Sequence, residues 1–141
     1  DTPDLKNWLP KALEGHINNE TVLVGHSAGA PLILSVLENI NLKIKQAILV
    51  AGYARPKGKN PKPEAILQDK YNWQKIKQNC EEFIFINSDN DPWGCNDMEG
   101  KYMQENLGGK LIVKKDEGHM GSDSFNQPYK EFPLLVELIN K

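Results

Sequence analysis

The pentapeptide Gly25-His26-Ser27-Ala28-Gly29 comes directly after the short apolar run 21–24 and directly before a helical pattern. A β-branched run followed by Gly-x-Ser-x-Gly and a helix is the sequence form of a nucleophile elbow. Such a turn is so tight that only small residues fit around it. The serine at its apex takes strained backbone angles that push its hydroxyl clear of the sheet. The pattern therefore makes Ser27 the candidate nucleophile.

The residues around the pentapeptide favour this interpretation. Residues 22–24 are typical of a strand, and the segment Ala30–Ile40 is apolar on nearly every face, as expected of a buried helix. Pro31 falls in the first helical turn, where its missing N–H costs little. The alternative is an ordinary strand–turn–helix with incidental glycines. A dinucleotide-binding loop is disfavoured because it needs Gly-x-Gly-x-x-Gly, and position 27 is serine.

Helical and strand patterns alternate along the whole chain. We predict a first helix with Thr2 as N-cap and Pro3 at its first position, reaching Glu14, and a last helix opening at Pro133. The predicted strands are Thr21–Val24, Gln46–Ala51, Glu82–Asn87 and Lys110–Lys114, and the helices between them are Ala30–Ile40, Asn72–Gln78 and Asn96–Leu107. Short apolar strands separated by helices predict one α/β domain over residues 1–141. Its core is a parallel sheet of about four strands with helices on both faces.

Composition narrows the class of protein further. The chain has 141 residues, 39% of them hydrophobic, and a net charge of −2, which is typical of a globular domain and not of a nucleic-acid-binding one. No apolar stretch approaches the ~20 residues that cross a bilayer. The two cysteines, Cys80 and Cys95, lack metal-site spacing. We therefore expect free thiols, no metal, and a cytoplasmic location.

A serine nucleophile needs a base, and the base needs an acid that fixes its tautomer. In parallel sheets such groups gather beyond the carboxyl ends of the strands. Asp91 follows the third predicted strand and His119 the fourth, which gives the chain order Ser…Asp…His of α/β-hydrolases. Asp91 precedes a proline that fixes the turn. Asp89, Asp116 or another carboxylate remains an alternative acid.

Other residues near these positions have simpler interpretations. His16 suits a surface or helix-capping role, and His26 suits packing, because adjacent side chains diverge in a tight elbow. Cys95 lies too far along its loop to replace Ser27 and is expected to be an inert thiol. Three residues just past strand ends could line an acyl pocket or pack at its rim: Tyr53, Trp93 and Met120.

The pentapeptide, the run Ser88-Asp89-Asn90-Asp91-Pro92 and the pair Gly118-His119 together resemble the small, lidless α/β-hydrolases related to retinoblastoma-binding hydrolase. The opening stretch through Trp8 is also similar to the family's helix before the nucleophile strand. The resemblance implies a Ser–His–Asp esterase-type activity on small acyl substrates. It maps the triad onto Ser27, Asp91 and His119, with the Ala28 N–H as one oxyanion-hole donor.

The sequence also departs from this family. The family begins with a strand, a His-Gly-type loop, a helix and a second strand ahead of the segment where this chain starts. We therefore expect an N-terminally truncated hydrolase that lacks one oxyanion donor. The strand before Ser27 would then be an exposed apolar edge, which favours self-association.

The expected function is hydrolysis of small carboxylic esters through an acyl-enzyme, with no cofactor and no metal. An acyltransferase or thioesterase is an alternative, because the same triad passes the acyl group to whichever nucleophile enters. A non-catalytic interaction module on a hydrolase fold is another, since fold alone does not decide function.

Overall fold

The computed structural model describes residues 2–121 and 133–139, and it shows one parallel sheet flanked by helices. In chain order the elements are α1 Leu5–Leu13, β1 Val22–His26, α2 Gly29–Asn39, β2 Ile44–Val50, α3 Trp73–Gln78, β3 Cys80–Ser88, α4 Asp97–Leu107, β4 Lys110–Lys114 and α5 Pro133–Ile139. The sheet order is β1-β2-β3-β4, and all three neighbouring pairs are parallel. The predicted α/β class is therefore confirmed, and the strand bounds lie within two residues of the prediction.

Alternating strand residues build two separate apolar layers. The side chains of Ala47, Leu49 and Phe85 pack in one layer with residues of α2, α3 and α4. Those of Ile48 and Ile86 pack in the other layer, which α1 and α5 help to cover. Because side chains of a strand point alternately to opposite faces, the continuous apolar runs of β2 and β3 serve both layers. Helices therefore cover both faces of the sheet, as predicted.

The start of α1 differs from the prediction. The N-cap is Asp4, which has an extended backbone and whose side-chain Oδ1 accepts the Lys6 N–H at 2.9 Å. The helix begins at Leu5 rather than at Pro3. A carboxylate caps a helix well because it pairs with an orphan N–H and with the positive end of the helix dipole. Asp4 therefore replaces Thr2 as the cap. None of the described helices is both long and apolar enough to cross a membrane.

Backbone strain lies at one edge of this sheet. Among the described residues, the non-glycine positions with positive φ are Ser27 at 57°, Ala51 at 48°, Asp116 at 55° and Met120 at 52°. Each follows the carboxyl end of a strand, and since all strands run in parallel, those ends share an edge. Non-glycine residues avoid this conformation unless surrounding structure holds them in it, and such strain is concentrated at functional sites. This edge is therefore the candidate location of the functional site.

Candidate active site

The turn around Ser27 has the backbone of a nucleophile elbow. β1 ends at His26, Ser27 takes a φ of 57°, and α2 begins two residues later. The Ser27 N–H donates to the Val50 carbonyl at 2.9 Å, which anchors the turn to β2. A side chain at Gly25 would place its Cβ 2.6 Å from the Gly29 carbonyl oxygen, so glycine is required there. The elbow predicted from the pentapeptide is present.

His119 and Asp91 form a buried hydrogen-bonded pair at the same edge. The His119 Nδ1 donates to Asp91 Oδ2 at 2.7 Å, and the side chains are 8% and 0% exposed. The other carboxylate oxygen, Oδ1, accepts the Trp93 N–H at 2.8 Å. A carboxylate can only accept, so the proton of a neutral His119 sits on Nδ1 and the lone pair on Nε2. That tautomer suits a general base.

Asp89, the alternative acid, has a different partner. Its Oδ1 accepts the Asp116 N–H at 2.9 Å, and the Asp89 N–H donates to the Lys114 carbonyl at 3.0 Å. The next two amides of the same loop are also held by side chains, Glu117 N–H by Ser88 Oγ at 3.1 Å and Gly118 N–H by Asn90 Oδ1 at 2.8 Å. Residues 88–90 therefore fix the backbone that leads to His119, while Asp91 holds its ring. The sequence favoured Asp91 as the acid and allowed Asp89 a bond within its own turn, but it did not indicate that residues 88–90 bind the loop before His119.

His26 contacts the same loop from the elbow side. Its Nε2 donates to the His119 carbonyl oxygen at 2.7 Å, and the two ring centroids are 4.8 Å apart. Partial removal of the ring from water lowers the pKa of His26, and the hydrogen bond to His119 opposes that effect. Packing was the expectation for His26. The structure adds a hydrogen bond that joins the nucleophile elbow to the base loop. His16, by contrast, lies exposed after α1.

Cys95 is nearer the site than the sequence suggested. Its thiol is fully buried, and its Sγ lies within 4.8 Å of ligand atoms of both Asp91 and His119. Burial raises the pKa of Cys95 well above its usual range, the Asp91 charge adds to this, and the Ser27 side chain acts in the opposite direction. The expectation that Cys95 lies too far away is therefore wrong. The protonated thiol is still consistent with an inert group.

The three candidate pocket residues occupy two environments. Trp93 is 50% exposed, and its ring lies 6.3 Å from that of His119. Tyr53 and Met120 are buried in the core layer that contains Cys95, and the Tyr53 hydroxyl donates to Glu64 at 2.7 Å. Trp93 thus lies at the surface beside His119, and the pocket roles of Trp93, Tyr53 and Met120 stay predictions.

Ala28 lies beside the nucleophile, at the N-terminus of α2. It is the N-cap residue, and no side chain caps this end of the helix. Within residues 2–121 and 133–139, the Ala28 N–H donates no hydrogen bond to another protein group. Uncapped amides at a helix N-terminus carry partial positive charge and attract anions. The arrangement suits stabilisation of an oxyanion formed at Ser27.

Comparison with known sequences identifies the family. The model of the family described as serine hydrolase matches residues 1–139. The chain belongs to the serine hydrolase family. It is similar to the rat serine hydrolase RBBP9, with 30% identity over 85% of this chain and 64% of the relative. The YdeN protein of Bacillus subtilis is 32% identical over 97% of this chain and 72% of its own length. The chain thus spans less than two thirds of the rat serine hydrolase.

Solved structures show the same fold. The ydeN gene product of B. subtilis superposes with a TM-score of 0.84 at 23% identity, covering 99% of this chain and 75% of the other. An esterase from Exiguobacterium antarcticum superposes with a TM-score of 0.66 at 15% identity, covering 100% and 75%. The four-stranded parallel sheet with its helices is therefore an α/β-hydrolase architecture, as the resemblance implied.

Proposed function

We propose that this serine hydrolase cleaves small carboxylic esters through an acyl-enzyme on Ser27, with His119 as general base and Asp91 as the acid that orients it. One observation carries the proposal. The buried Asp91–His119 hydrogen bond of 2.7 Å lies at the strand edge where Ser27 adopts its strained elbow. Family membership makes hydrolysis the reaction class.

The chemistry follows the tautomer of His119. The Ser27 oxygen bonds to the ester carbonyl carbon while its proton passes to His119 Nε2. Charge develops on the carbonyl oxygen, where the Ala28 N–H and the α2 N-terminus stabilise it. Collapse of this intermediate breaks the ester bond, and the leaving alcohol takes the proton from Nε2. Water then repeats the sequence on the acyl-enzyme, releasing the carboxylic acid and restoring Ser27.

Trp93 supports a small acyl substrate. It is a large, half-exposed ring beside His119, and a flat apolar wall of this kind contacts a short acyl chain well. No cofactor or metal has a step in this scheme. A cytoplasmic location suits the chain because Cys80 and Cys95 are both free thiols.

A second copy of this chain is the partner we assign to the edge strand β1. Among the described strands, β1 pairs only with β2, and Val24 is 44% exposed on it. An unpaired apolar strand offers its backbone groups to another strand, so two copies can pair through β1.

The triad is tested by labelling and turnover. A fluorophosphonate probe should label Ser27, and Ser27→Ala should abolish both labelling and hydrolysis of p-nitrophenyl acetate. Asp91→Asn should lower turnover by ~10⁴-fold, because the amide cannot hold the required tautomer. Asp89→Asn is the matched control, since its remaining carbonyl oxygen can still accept the Asp116 N–H. Severe loss in Asp89→Asn with mild loss in Asp91→Asn would contradict the assignment.

Product analysis separates hydrolysis from acyl transfer. Added alcohols or thiols should leave the free acid as the main product of a hydrolase. Preferential formation of a new ester or thioester would instead identify an acyltransferase. Absence of any labelling in the folded chain would favour a non-catalytic module.

A further inference from the structure

The proposed base and two of its buried neighbours offer three different metal-ligating atoms. A carboxylate oxygen of Asp91, the Cys95 Sγ and a ring nitrogen of His119 all lie within 4.8 Å of one another, and all three residues are buried. In a tetrahedral zinc site, bond lengths of about 2.0–2.3 Å set neighbouring ligand atoms roughly 3.3–3.8 Å apart. The widest separation in the observed cluster is therefore at most about 1–1.5 Å larger than in such a site.

A short turn holds Asp91 and Cys95 close together, with Asp91 at its start and Cys95 directly after its end. The Gly94 N–H donates to the Asp91 carbonyl at 3.1 Å, which folds residues 91–94 back on themselves. The Cys95 carbonyl accepts the buried Asn87 amide at 3.1 Å, which fixes the backbone after that turn. The relative positions of the carboxylate and the thiol are thus set before any ligand arrives, which lowers the cost of binding one.

We propose that Asp91, Cys95 and His119 form an inhibitory site for a thiophilic divalent cation, with Zn²⁺ as its probe. A thiolate, an imidazole and a carboxylate are the donors that select zinc, whereas Mg²⁺ and Ca²⁺ prefer oxygen ligands alone. On binding, the Cys95 sulfur forms the metal bond and its proton leaves to solvent, with no change of oxidation state. The fourth position stays open to water.

A metal ion at this site prevents His119 from acting as a base, whichever ring nitrogen the metal binds. A metal on Nε2 occupies the lone pair that receives the Ser27 proton. A metal on Nδ1 leaves the proton of the neutral ring on Nε2, which then has no lone pair to offer. Inhibition therefore rests on the proposed function of His119, whereas metal binding does not.

The site is tested first by affinity, in tag-free protein. Competition with a chromogenic chelator should show one Zn²⁺ bound to the wild type. Cys95→Ala should weaken that binding by roughly 10²–10³-fold, because one of the three protein ligands is lost. Cys80→Ala is the matched control, since Cys80 is also a buried free thiol and is not part of the cluster. It should bind as the wild type does, and Mg²⁺ should not compete. Cys95→Ser repeats the test in a variant of nearly unchanged volume.

Two further readouts separate the metal site from the catalytic proposal. Co²⁺ should give thiolate-to-cobalt charge-transfer absorption in the wild type, in Cys80→Ala and in Ser27→Ala, but not in either Cys95 variant. Zn²⁺ should block fluorophosphonate labelling of Ser27 in the wild type and fail to do so in Cys95→Ser. Zinc affinity equal in wild type and Cys95→Ser would overturn the site. Cys95-dependent binding with unchanged labelling would overturn the inhibition, and binding without any labelling would overturn only the triad.

Discussion

The two glycines of the elbow motif should respond in opposite ways to the same substitution. A Cβ at Gly25 would lie 2.6 Å from the Gly29 oxygen, 2.7 Å from the Gly29 carbon and 2.8 Å from Ile33 Cδ1. Ordinary van der Waals contacts of a Cβ begin at 3.4 Å, so the backbone must move by about 0.8 Å to relieve the contact with the Gly29 oxygen. Overpacking of this kind costs about 1–3 kcal/mol. Two of the three opposing atoms are backbone, which places Gly25→Ala at the upper end.

Gly29→Ala is the matched control within the same motif. A Cβ there meets no atom within 4 Å, and Gly29 is the first residue of α2. Alanine in a helix is more stable than glycine by about 0.5–1 kcal/mol, so this variant should match or exceed the wild type. The two variants should thus differ by roughly 2–4 kcal/mol in the free energy of unfolding.

Urea unfolding followed by tryptophan fluorescence measures that difference, and fluorophosphonate labelling shows whether the elbow keeps its shape. Gly25→Ala should be destabilised and labelled slowly, while Gly29→Ala keeps both properties. Equal stability and equal labelling in the two variants would refute the close approach of α2 to β1 on which the elbow depends.

Three other predictions concern a hydrogen bond, a buried thiol and the sheet edge. His26→Ala should lower turnover by roughly fivefold, because the base loop loses a hydrogen bond worth about 1 kcal/mol. His26→Gln keeps an N–H donor and should lose less turnover, and equal turnover in both variants would refute this. Burial raises the pKa of Cys80 from 9.0 to about 12. As pH rises, the thiol therefore loses its proton in the unfolded chain before it does so in the folded chain, and the free energy of unfolding falls between these two pKa values. By about pH 10.5 the free energy of unfolding of the wild type, measured with urea, should have fallen by about 2 kcal/mol from this cause. Cys80→Ala should not show this decrease. Light scattering should show concentration-dependent dimers that Val24→Lys disrupts, and a wild type that stays monomeric would contradict pairing through β1.

The sequence predicted the sheet well because its strands are short, apolar and bounded by polar turns. The core residues of β2 and β3 are apolar at successive positions, which only a sheet covered on both faces requires. Placement of Ser27, Asp91 and His119 followed from the same logic, since each lies just past a strand end. The first helical cap was predicted wrongly because Thr2 and Asp4 both suit that position, and the extended backbone at Asp4 decides between them.

The positions of Asp89 and Cys95 could not be read from spacing alone. Asp89 and Asp91 are two residues apart on one loop, and only the fold of that loop sends one to a backbone amide and the other to the His119 ring. A turn motif in the sequence does, however, indicate that the chain folds back and brings Cys95 near Asp91. Asp91-Pro92-Trp93-Gly94 matches a type I turn, with aspartate first, proline second and glycine last. The Trp93 N–H bond to Asp91 and the positive φ of Gly94 are the structural form of that signal.

The hydrogen bonds that stabilise this edge are the same ones that the proposed chemistry would use. A carboxylate with 0% exposure is costly to bury unless its oxygens are paired, and both oxygens of Asp91 are paired, one with a backbone N–H and one with His119. The hydrogen bond that satisfies Asp91 Oδ2 in the interior is also the one that sets the tautomer of His119. Orientation of the proposed base therefore needs no separate structural device. It follows from satisfying a buried charge, and any change that relieves Asp91 of its partner acts on folding and on the proposed base together.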